Sequence, residues 1–264
     1  MKIIVLVKEV PDTYAPRRLN PETGLLERDG DRVFDEISER ALELALSQAE
    51  GTGPDPTITA LLAGPESAAT TLRRALAMGA TAAVHLCDEA MLGADLGLTA
   101  EALAAAITRA GFDLVIAGDA STDGATGMLP AMLAEHLDVP HLTGLSEVRL
   151  GADGVSGVRA SDGGTQEVSA DYPAVISVTE ALPDARLPSF KGIMSAKKKP
   201  LETLGLTELG VNPDPLAAPR SILLSVAERA ARTGGVTLLT GDDVAQQLAD
   251  YLIEHGLVRE NDHV

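Results

Sequence analysis

Short apolar runs alternate with segments of helical periodicity along most of the chain, and this alternation restricts the fold more than any other feature. Apolar residues recur at helical spacing between the runs, as in Ile37, Ala41, Leu44 and Ala45. Strands connected through helices are parallel, and a parallel sheet is covered on both faces. The pattern therefore predicts an α/β fold with a Rossmann-like, mostly parallel sheet covered by helices. The predicted strands are residues 3–7, 57–62, 82–86, 114–117 and 174–178.

The pattern changes after residue 145. Residues 147–150, 155–160 and 166–170 have the composition of short strands and are separated by Gly-Ala-Asp-Gly and Ser-Asp-Gly-Gly turns. This arrangement predicts an antiparallel hairpin insertion.

The last part of the chain has a different organisation. Residues 210–219 are rich in proline and are expected to be extended. An amphipathic helix follows over residues 243–255, with Val244, Leu248, Tyr251 and Leu252 on one stripe. A single helix of this length is not stable alone in water, so it must dock on something. We therefore expect an α/β domain over residues 1–235 and a C-terminal arm over residues 236–264.

Charge and composition exclude several classes of protein. The chain has 21 Lys+Arg against 39 Asp+Glu, a net charge of -18, which opposes general binding to nucleic acid or anionic membranes. Its one cysteine, Cys87, excludes an intramolecular disulfide and a multi-cysteine metal site. No apolar run approaches the ~20 residues that span a bilayer, and no signal peptide is evident. We expect a soluble, cytoplasmic protein, and the sequence offers no convincing catalytic dyad or triad.

A loop of small and polar residues follows the fourth predicted strand. It reads AGDASTDGATG over residues 117–127 and precedes a helical pattern at 128–137. In open parallel sheets, ligands bind at loops beyond the carboxyl ends of strands, and N–H groups at a helix start favour phosphate. Neither a dinucleotide fingerprint nor a Walker motif is present. By itself the loop is equally compatible with a tight turn that caps the helix.

Residues 183–200 form a basic segment within this acidic chain. It contains one anion, Asp184, and five cations around Phe190: Arg186, Lys191, Lys197, Lys198 and Lys199. An exposed apolar residue surrounded by cations is typical of a docking anchor with electrostatic steering. The alternative is a solvated strand edge or helix end.

Four short motifs follow one another in the second half of the chain: Asp162-Gly163-Gly164, Tyr172-Pro173-Ala174-Val175, Ala185-Arg186 and Ile193-Met194-Ser195-Ala196-Lys197-Lys198-Lys199. On these motifs, taken in order, the sequence resembles the electron transfer flavoprotein β subunit family over essentially the whole chain. The resemblance implies an electron carrier rather than an enzyme. It further implies a heterodimer with an α subunit that holds the redox-active FAD, while the β subunit binds a structural AMP.

The resemblance also implies which residues bind the nucleotide and which dock the partner. The ends of three strands and the approach to the first helix would hold AMP through Leu6, Arg32, Val33, Phe34, Asp35, Ala63, Gly118, Asp119, Ala120, Ser121, Thr122, Asp123, Gly124, Ala125 and Thr126. The recognition loop would dock flavin dehydrogenases of the acyl-CoA dehydrogenase type, as in fatty acid β-oxidation, through Arg186, Phe190, Lys191, Ile193, Met194, Lys197, Lys198 and Lys199. Relatives have Leu at the position of Phe190. Electrons would then pass to a membrane quinone oxidoreductase.

Two alternatives stay open at this point. A bifurcating flavoprotein would hold a second FAD in place of AMP. A stand-alone adenine-nucleotide-binding regulator or hydrolase would keep the fold but change the class of protein. The basic segment and the C-terminal helix count against the second alternative, because a self-sufficient monomer needs neither.

Overall fold

Residues 1–49, 56–214, 216, 218, 220–227, 230 and 240–258 are described by a computed structural model of the chain. The contacts divide the chain into two units, Met1–Val226 and Ala227–Val264. The first unit contains all the strands of the described residues, and the described part of the second contains one helix.

Nine strands of the described residues form one sheet. In chain order the described strands are β1 (Lys2–Leu6), β2 (Glu9–Pro11), β3 (Arg32–Phe34), β4 (Thr57–Ala63), β5 (Ala82–Leu86), β6 (Leu114–Gly118), β7 (His141–Leu150), β8 (Gly154–Ser161), β9 (Gly164–Asp171), β10 (Ala174–Val178) and β11 (Leu201–Leu204). The sheet has the order β11-β5-β4-β1-β6-β10-β7-β8-β9, and β2 and β3 form a separate antiparallel pair. Pairing is parallel from β11 to β7 and antiparallel from β7 through β9. The predicted α/β fold with a mostly parallel sheet is confirmed.

Helices cover both faces of the parallel part. The described helices of the first unit are α1 (Glu36–Ala49), α2 (Ala69–Met78), α3 (Leu96–Ala110), α4 (Leu129–Leu137), α5 (Phe190–Ala196) and α6 (Leu206–Leu209), and the described helix of the second unit is α7 (Val244–Glu254). Ile3 and Val5 of β1 belong to one buried cluster with residues of α1 and α2. Ile4 and Leu6 belong to a second cluster with residues of α3 and α4. Because successive side chains of a strand point to opposite faces, burial on both faces explains the continuous apolar runs.

The predicted insertion is a three-stranded extension of the sheet. β7 begins at His141, pairs in parallel with β10 and is antiparallel to β8, so it joins the two parts of the sheet. The sequence pattern indicated the second half of β7 only, because its first half, HLTGL, interrupts the apolar residues with Thr143 and Gly144.

Three elements differ from the expectations. The pair β2–β3 has only three residues in each strand, and β11 has the sequence LETL with two exposed polar residues, so neither has an apolar run. Part of residues 183–200 is helix α5 instead of a continuous loop. Ser189 caps this helix, because its Oγ accepts a hydrogen bond from the N–H of Gly192 at 3.0 Å.

The second unit is described through α7. The helix begins one residue after Asp243, and Gly256 beyond its end has a φ of 66°. No residue of this fully described helix is buried, and Leu248 and Tyr251 are about half exposed. The predicted boundary at residue 235 lies outside the described residues. In the part of the chain that the structure describes, no helix combines the length and the apolar character needed to cross a membrane.

Candidate functional site

The carboxyl ends of three neighbouring strands meet at one edge of the sheet. β4, β1 and β6 are adjacent and parallel, so Ala63, Leu6 and Gly118 come together although they are distant in sequence. A cavity of about 340 Å³ lies at this edge, within the range of roughly 300–1,000 Å³ typical of small-molecule sites. The residues that line it are Leu6, Val7, Lys8, Ile37, Ser38, Leu61, Ala63, Ala94, Leu96, Thr99, Leu103, Ala117, Gly118, Asp119, Ala120, Ser121, Gly124, Thr126, Gly127, Leu129 and Pro130.

Asp119 is fixed at the mouth of β6 by the neighbouring strand. Its N–H donates to the carbonyl oxygen of Val178 at 2.9 Å, and its Oδ1 accepts a hydrogen bond from the hydroxyl of Ser177 at 2.9 Å. Ser177 is buried, and its Oγ in turn accepts the N–H of Gly144 at 2.9 Å. The start of the loop is therefore held in position by partly buried polar contacts, a kind of network that rigidifies a site.

The far side of the loop is held by ion pairs at Asp123. The carboxylate of Asp123 lies 2.6 Å from Nζ of Lys8 and 2.6 Å from Nη2 of Arg28. Lys8 also donates to Oγ of Ser121 at 3.1 Å. Burial acts to raise the pKa of Asp123, but the hydrogen bond and charge of Lys8, with hydrogen bonds from Arg28 and Ser121, outweigh it and hold that pKa far below its usual range. The loop is thus tied to the end of β1 by a carboxylate that stays ionised.

Asp35 joins the start of α1 to the same loop. Its Oδ2 accepts the N–H of Thr122 at 3.1 Å, and its backbone oxygen accepts the N–H groups of Ser38 and Glu39. Its Oδ1 has no hydrogen-bond partner among the described residues. Burial raises the pKa of the Asp35 carboxyl because the charged form loses its hydration.

The loop backbone is strained and approaches its neighbours closely. Ala125 has a φ of 49°, in the left-handed region that costs a residue with a Cβ roughly 1–2 kcal/mol. A Cβ on Gly118 would lie 2.7 Å from Cγ2 of Ile37, so only glycine allows α1 to pass this close to the end of β6. Strained residues of this kind cluster at ligand clamps and active sites.

Two chemically different kinds of group line the cavity. Leu96, Leu103 and Leu129 of α3 and α4 form an apolar wall. The lining also includes Lys8, Ser121 and Gly124, and the ammonium of Lys8 donates to the hydroxyl of Ser121. Such a site can hold a ligand that combines an apolar ring with an anionic group.

The structure brings together some of the sequence-predicted nucleotide residues and not others. Those that line the cavity are Leu6, Ala63, Gly118, Asp119, Ala120, Ser121, Gly124 and Thr126. Those outside its lining are Arg32, Val33, Phe34, Asp35, Thr122, Asp123 and Ala125. Asp35 and Asp123 still act on the site, because each holds the loop through the contacts described above. Arg32 is directed elsewhere and contacts Glu9 and Ser67. The part that each of the fifteen residues takes in binding stays a prediction.

Sequence reasoning missed the wall that α3 contributes. Leu96, Thr99 and Leu103 line the cavity from that helix, and Ile37 and Ser38 line it from the first turn of α1. Leu96, Thr99 and Leu103 follow helical spacing, so they lie on one side of α3. That spacing is the one signal in the sequence that identifies this side of the helix. Because a core-facing side has the same spacing, the sequence alone does not distinguish a cavity wall from the core.

A second candidate site is the surface of α5. The side chains of Phe190 and Leu187 are each 82% exposed, and Ile193 and Met194 are about half exposed. Lys191, Lys197 and Lys198 are exposed beside them. An apolar patch of this kind on a monomer marks an interaction surface.

Two cations predicted for docking have partners within the chain. Arg186 is half-buried and forms a fork with the carboxylate of Glu43. Lys199 is half-buried, and its Nζ donates to the carbonyl oxygens of Leu76 and Ala80 at 2.8 and 2.7 Å. The exposed charge around Phe190 therefore comes mainly from the three lysines at 191, 197 and 198.

Metal ligation has no support in the described residues. They contain no group of three or more His, Cys, Asp or Glu side chains placed to hold a metal ion. His85 is buried, with Nε2 at 3.0 Å from the carbonyl oxygen of Gly64, and Cys87 is partly exposed with a pKa that burial raises.

Comparison with known proteins gives one consistent result. Residues 23–209 match the family described as Electron transfer flavoprotein domain. The chain is 43% identical over 263 residues to the electron transfer flavoprotein subunit beta of Mycobacterium tuberculosis, a match to 97% of this chain and 99% of that protein. It is 33% identical over 257 residues to the protein of the same name from Thermoanaerobacterium thermosaccharolyticum, with 96% and 98% covered. It is 30% identical over 266 residues to the caffeyl-CoA reductase-Etf complex subunit CarD of Acetobacterium woodii, with 98% and 100% covered.

Proposed function

This chain belongs to the electron transfer flavoprotein β-subunit family, and from that premise we propose that it binds a structural AMP and docks flavin dehydrogenases of the acyl-CoA dehydrogenase type. Membership makes it a subunit of a flavoprotein electron carrier with an α-subunit partner. The proposal concerns what this chain itself contributes: a nucleotide site, a surface for the α subunit and a surface for the electron donor.

The cavity at the ends of β1, β4 and β6 is the observation that carries the proposal. Its apolar wall suits an adenine ring, and Lys8, Ser121 and the loop amides suit a single phosphate. Its volume of about 340 Å³ is at the lower end of the range for ligand sites, which favours a mononucleotide over a dinucleotide. The AMP would act structurally, since a ligand that binds only the folded state stabilises it by mass action.

FAD would be held mainly by the α subunit, and when bound it supplies the redox chemistry. This chain would contribute one wall of the flavin pocket and a surface for the α subunit. Helix α7 supports the second role. Its apolar stripe includes Leu248 and Tyr251, both about half exposed, and a helix of eleven residues is marginal in water without a partner.

The exposed face of α5 would receive the electron donor. Phe190 supplies an apolar anchor, and the lysines around it attract an acidic partner to an otherwise acidic protein. A carrier must also release its partner quickly. One small anchor with a diffuse charge field around it suits fast release, because few contacts must break when the partner leaves. Electrons would pass from the dehydrogenase to FAD and then to a membrane quinone oxidoreductase.

A direct test is to count the cofactors. The chain is produced together with its α subunit, the heterodimer is purified, and the acid extract is separated to quantify FAD and AMP. We expect one FAD and one AMP per heterodimer. Two FAD and no AMP would contradict the AMP assignment and favour a bifurcating flavoprotein. A chain that purifies alone with an adenine nucleotide, and without flavin or α subunit, would contradict the heterodimer.

A further inference from the structure

We infer that Lys199 and Arg73 are positioning residues, which clamp helix α5 onto helix α2 and so fix the orientation of Phe190. Under this assignment the lysine run has two separate roles. Lys197 and Lys198 contribute to the charge field, whereas Lys199 holds the helix. The inference rests on the docking function proposed for α5, but the clamp itself can be tested without a docking partner.

The two cations act reciprocally. Nη1 of Arg73, on α2, donates to the carbonyl oxygens of Ala196 and Lys199 at 2.9 and 3.1 Å, at the end of α5. Nζ of Lys199, just after α5, donates to the carbonyl oxygens of Leu76 and Ala80 at 2.8 and 2.7 Å, at the end of α2. The last carbonyl groups of a helix have no donor within the helix, and the end of its dipole favours a positive charge. Each helix thus supplies the cation that satisfies the end of the other.

Close backbone contact accompanies the clamp. A Cβ on Gly192 would lie 2.2 Å from the carbonyl oxygen of Ala77, so any other residue at 192 would push α5 away from α2. Ala196 is buried at the same contact. A helix of seven residues does not persist by itself in water, so the orientation of α5 depends on these contacts with α2.

The face of α5 opposite the clamp carries the proposed anchor. Phe190, Ile193 and Met194 remain exposed while Ala196 and Lys199 face α2. Holding the anchor in place before contact reduces the ordering cost of docking. If the clamp is lost, only a fraction of the molecules present Phe190 correctly. The apparent affinity for the docking partner is then the intrinsic affinity multiplied by that fraction. Burial against α2 also lowers the pKa of Lys199, because its charged form loses hydration, which agrees with a structural environment.

The clamp and the charge field predict different salt dependence. Lys198 is exposed, so its effect on docking should disappear at high salt, where exposed charges are screened. Lys199 acts through backbone hydrogen bonds within the chain, so its effect should persist. The matched pair Lys199→Met and Lys198→Met removes one charge from neighbouring positions at similar side-chain volume, and Arg73→Met removes the reciprocal donor.

The experiment uses the purified heterodimer with bound FAD, an acyl-CoA dehydrogenase and its acyl-CoA substrate. KM for the flavoprotein and kcat are measured at low and high salt, and hydrogen exchange is followed at the amides of residues 190–196. We expect Lys199→Met and Arg73→Met to raise KM by roughly tenfold at both salt concentrations, with faster exchange in α5. Lys198→Met should raise KM only at low salt and leave the exchange unchanged. Lys199→Arg keeps a hydrogen-bond donor at this position, so its KM and its exchange in α5 should be close to those of the wild type.

The outcomes separate the clamp from the docking function. Equal exchange in α5 for Lys199→Met and Lys198→Met would overturn the clamp, whatever the kinetics. Faster exchange in Lys199→Met, together with an unchanged KM for both that variant and Phe190→Ala, would support the clamp and contradict docking at α5. If Lys199→Met fails to form the heterodimer, the same exchange measurement on Arg73→Met decides the question.

Discussion

The side chain of Arg186 and the carboxylate of Glu43 form a two-pronged ion pair between the segment before α5 and helix α1. Nε of Arg186 lies 2.8 Å from Oε2 of Glu43, and Nη2 lies 2.8 Å from Oε1. The backbone N–H of Arg186 also donates to Oε2 at 3.0 Å. Burial acts to raise the pKa of Glu43, but the hydrogen bonds from Arg186 outweigh it and the pKa is lowered. One carboxylate thus fixes both the backbone and the side chain of Arg186.

The first prediction is that Glu43→Gln destabilises the protein by about 1.5–3 kcal/mol at neutral pH, the usual contribution of hydrogen bonds to a charged group. Because the pKa of Glu43 is lower in the folded state, this stability is present above the unfolded pKa, near 4.5, and is lost as the pH falls below it. Urea unfolding at several pH values measures the difference. Glu202→Gln is the matched control, because both side chains of its ion pair with Arg109 are half exposed. Loss of this pair should lower the free energy of unfolding by less than about 1 kcal/mol. Equal effects of the two substitutions would contradict the prediction.

The second prediction concerns the ion pairs at the nucleotide loop. Asp123→Asn should destabilise the protein by about 1–3 kcal/mol at neutral pH, because Lys8 and Arg28 lose a buried carboxylate. The folded-state pKa of Asp123 is lowered, so the stabilisation exists above the unfolded pKa and fades as the pH decreases below it. The free energy of unfolding of the variant and the wild type should therefore converge in acid. Asp153→Asn, at an exposed position, should show little difference at any pH. If the difference in the free energy of unfolding between Asp123→Asn and the wild type stays constant with pH, the role of the ionised carboxylate is contradicted.

The third prediction separates nucleotide binding from folding. A Cβ on Gly124 would lie 3.4 Å from Oγ of Ser121 and 3.9 Å from Nζ of Lys8, which are ordinary contacts, so Gly124→Val should fold. Its side chain would, however, occupy the space assigned to the phosphate. We expect the AMP content of acid extracts to fall severely while the FAD content is retained. Gly164→Val is the control, since a Cβ there meets nothing within 4 Å. A full AMP content in Gly124→Val would show that the phosphate lies elsewhere.

Much of the fold follows from the sequence because burial on both faces leaves a strong signal. β1, β4, β5, β6 and β10 are mostly apolar, and each begins and ends within one or two residues of its predicted bounds. The elements that escaped prediction lack that signal. β11 is a strand because the edge of β5 offers it hydrogen bonds, and its Glu202 and Thr203 are exposed. Such an element is determined by its neighbour rather than by its own composition.

The candidate site also has parts that the sequence predicts and parts that it does not. The loop from Gly118 to Thr126 could be located from its small residues and its place after a strand. The partnership of Lys8 with Asp123 joins residues 115 positions apart, and no periodicity links them. The separate role of Lys199 is also invisible in the sequence, where it is one of three identical lysines. Only the position of α2 distinguishes it from Lys198, which remains exposed.

The fourth prediction assigns the C-terminal helix to the α subunit. Truncation after Gly241 removes α7 and its exposed apolar residues, among them Leu248 and Tyr251. Obligate interfaces commonly exceed roughly 2,000 Å² and are apolar, so loss of this stripe should abolish co-purification with a tagged α subunit. The double substitution Gln246→Ala and Asp250→Ala changes exposed polar residues of the same helix and should leave the heterodimer intact. Undiminished heterodimer formation by the truncated chain would contradict the assignment.

The fifth prediction concerns Phe190 as the anchor for the electron donor. Its side chain is 82% exposed at the first position of α5, and alanine is a good helix former, so Phe190→Ala should leave α5 and the rest of the fold in place. Removal of an anchor of hot-spot magnitude costs on the order of 2 kcal/mol, which weakens docking about thirtyfold. Reduction of the flavoprotein by an acyl-CoA dehydrogenase should therefore become severely slower at subsaturating concentrations, while the FAD content and the visible spectrum stay unchanged. Phe190→Leu keeps an apolar side chain and should retain most of the activity. Normal reduction of the alanine variant would refute the anchor, and loss of flavin would make Phe190 a structural residue instead.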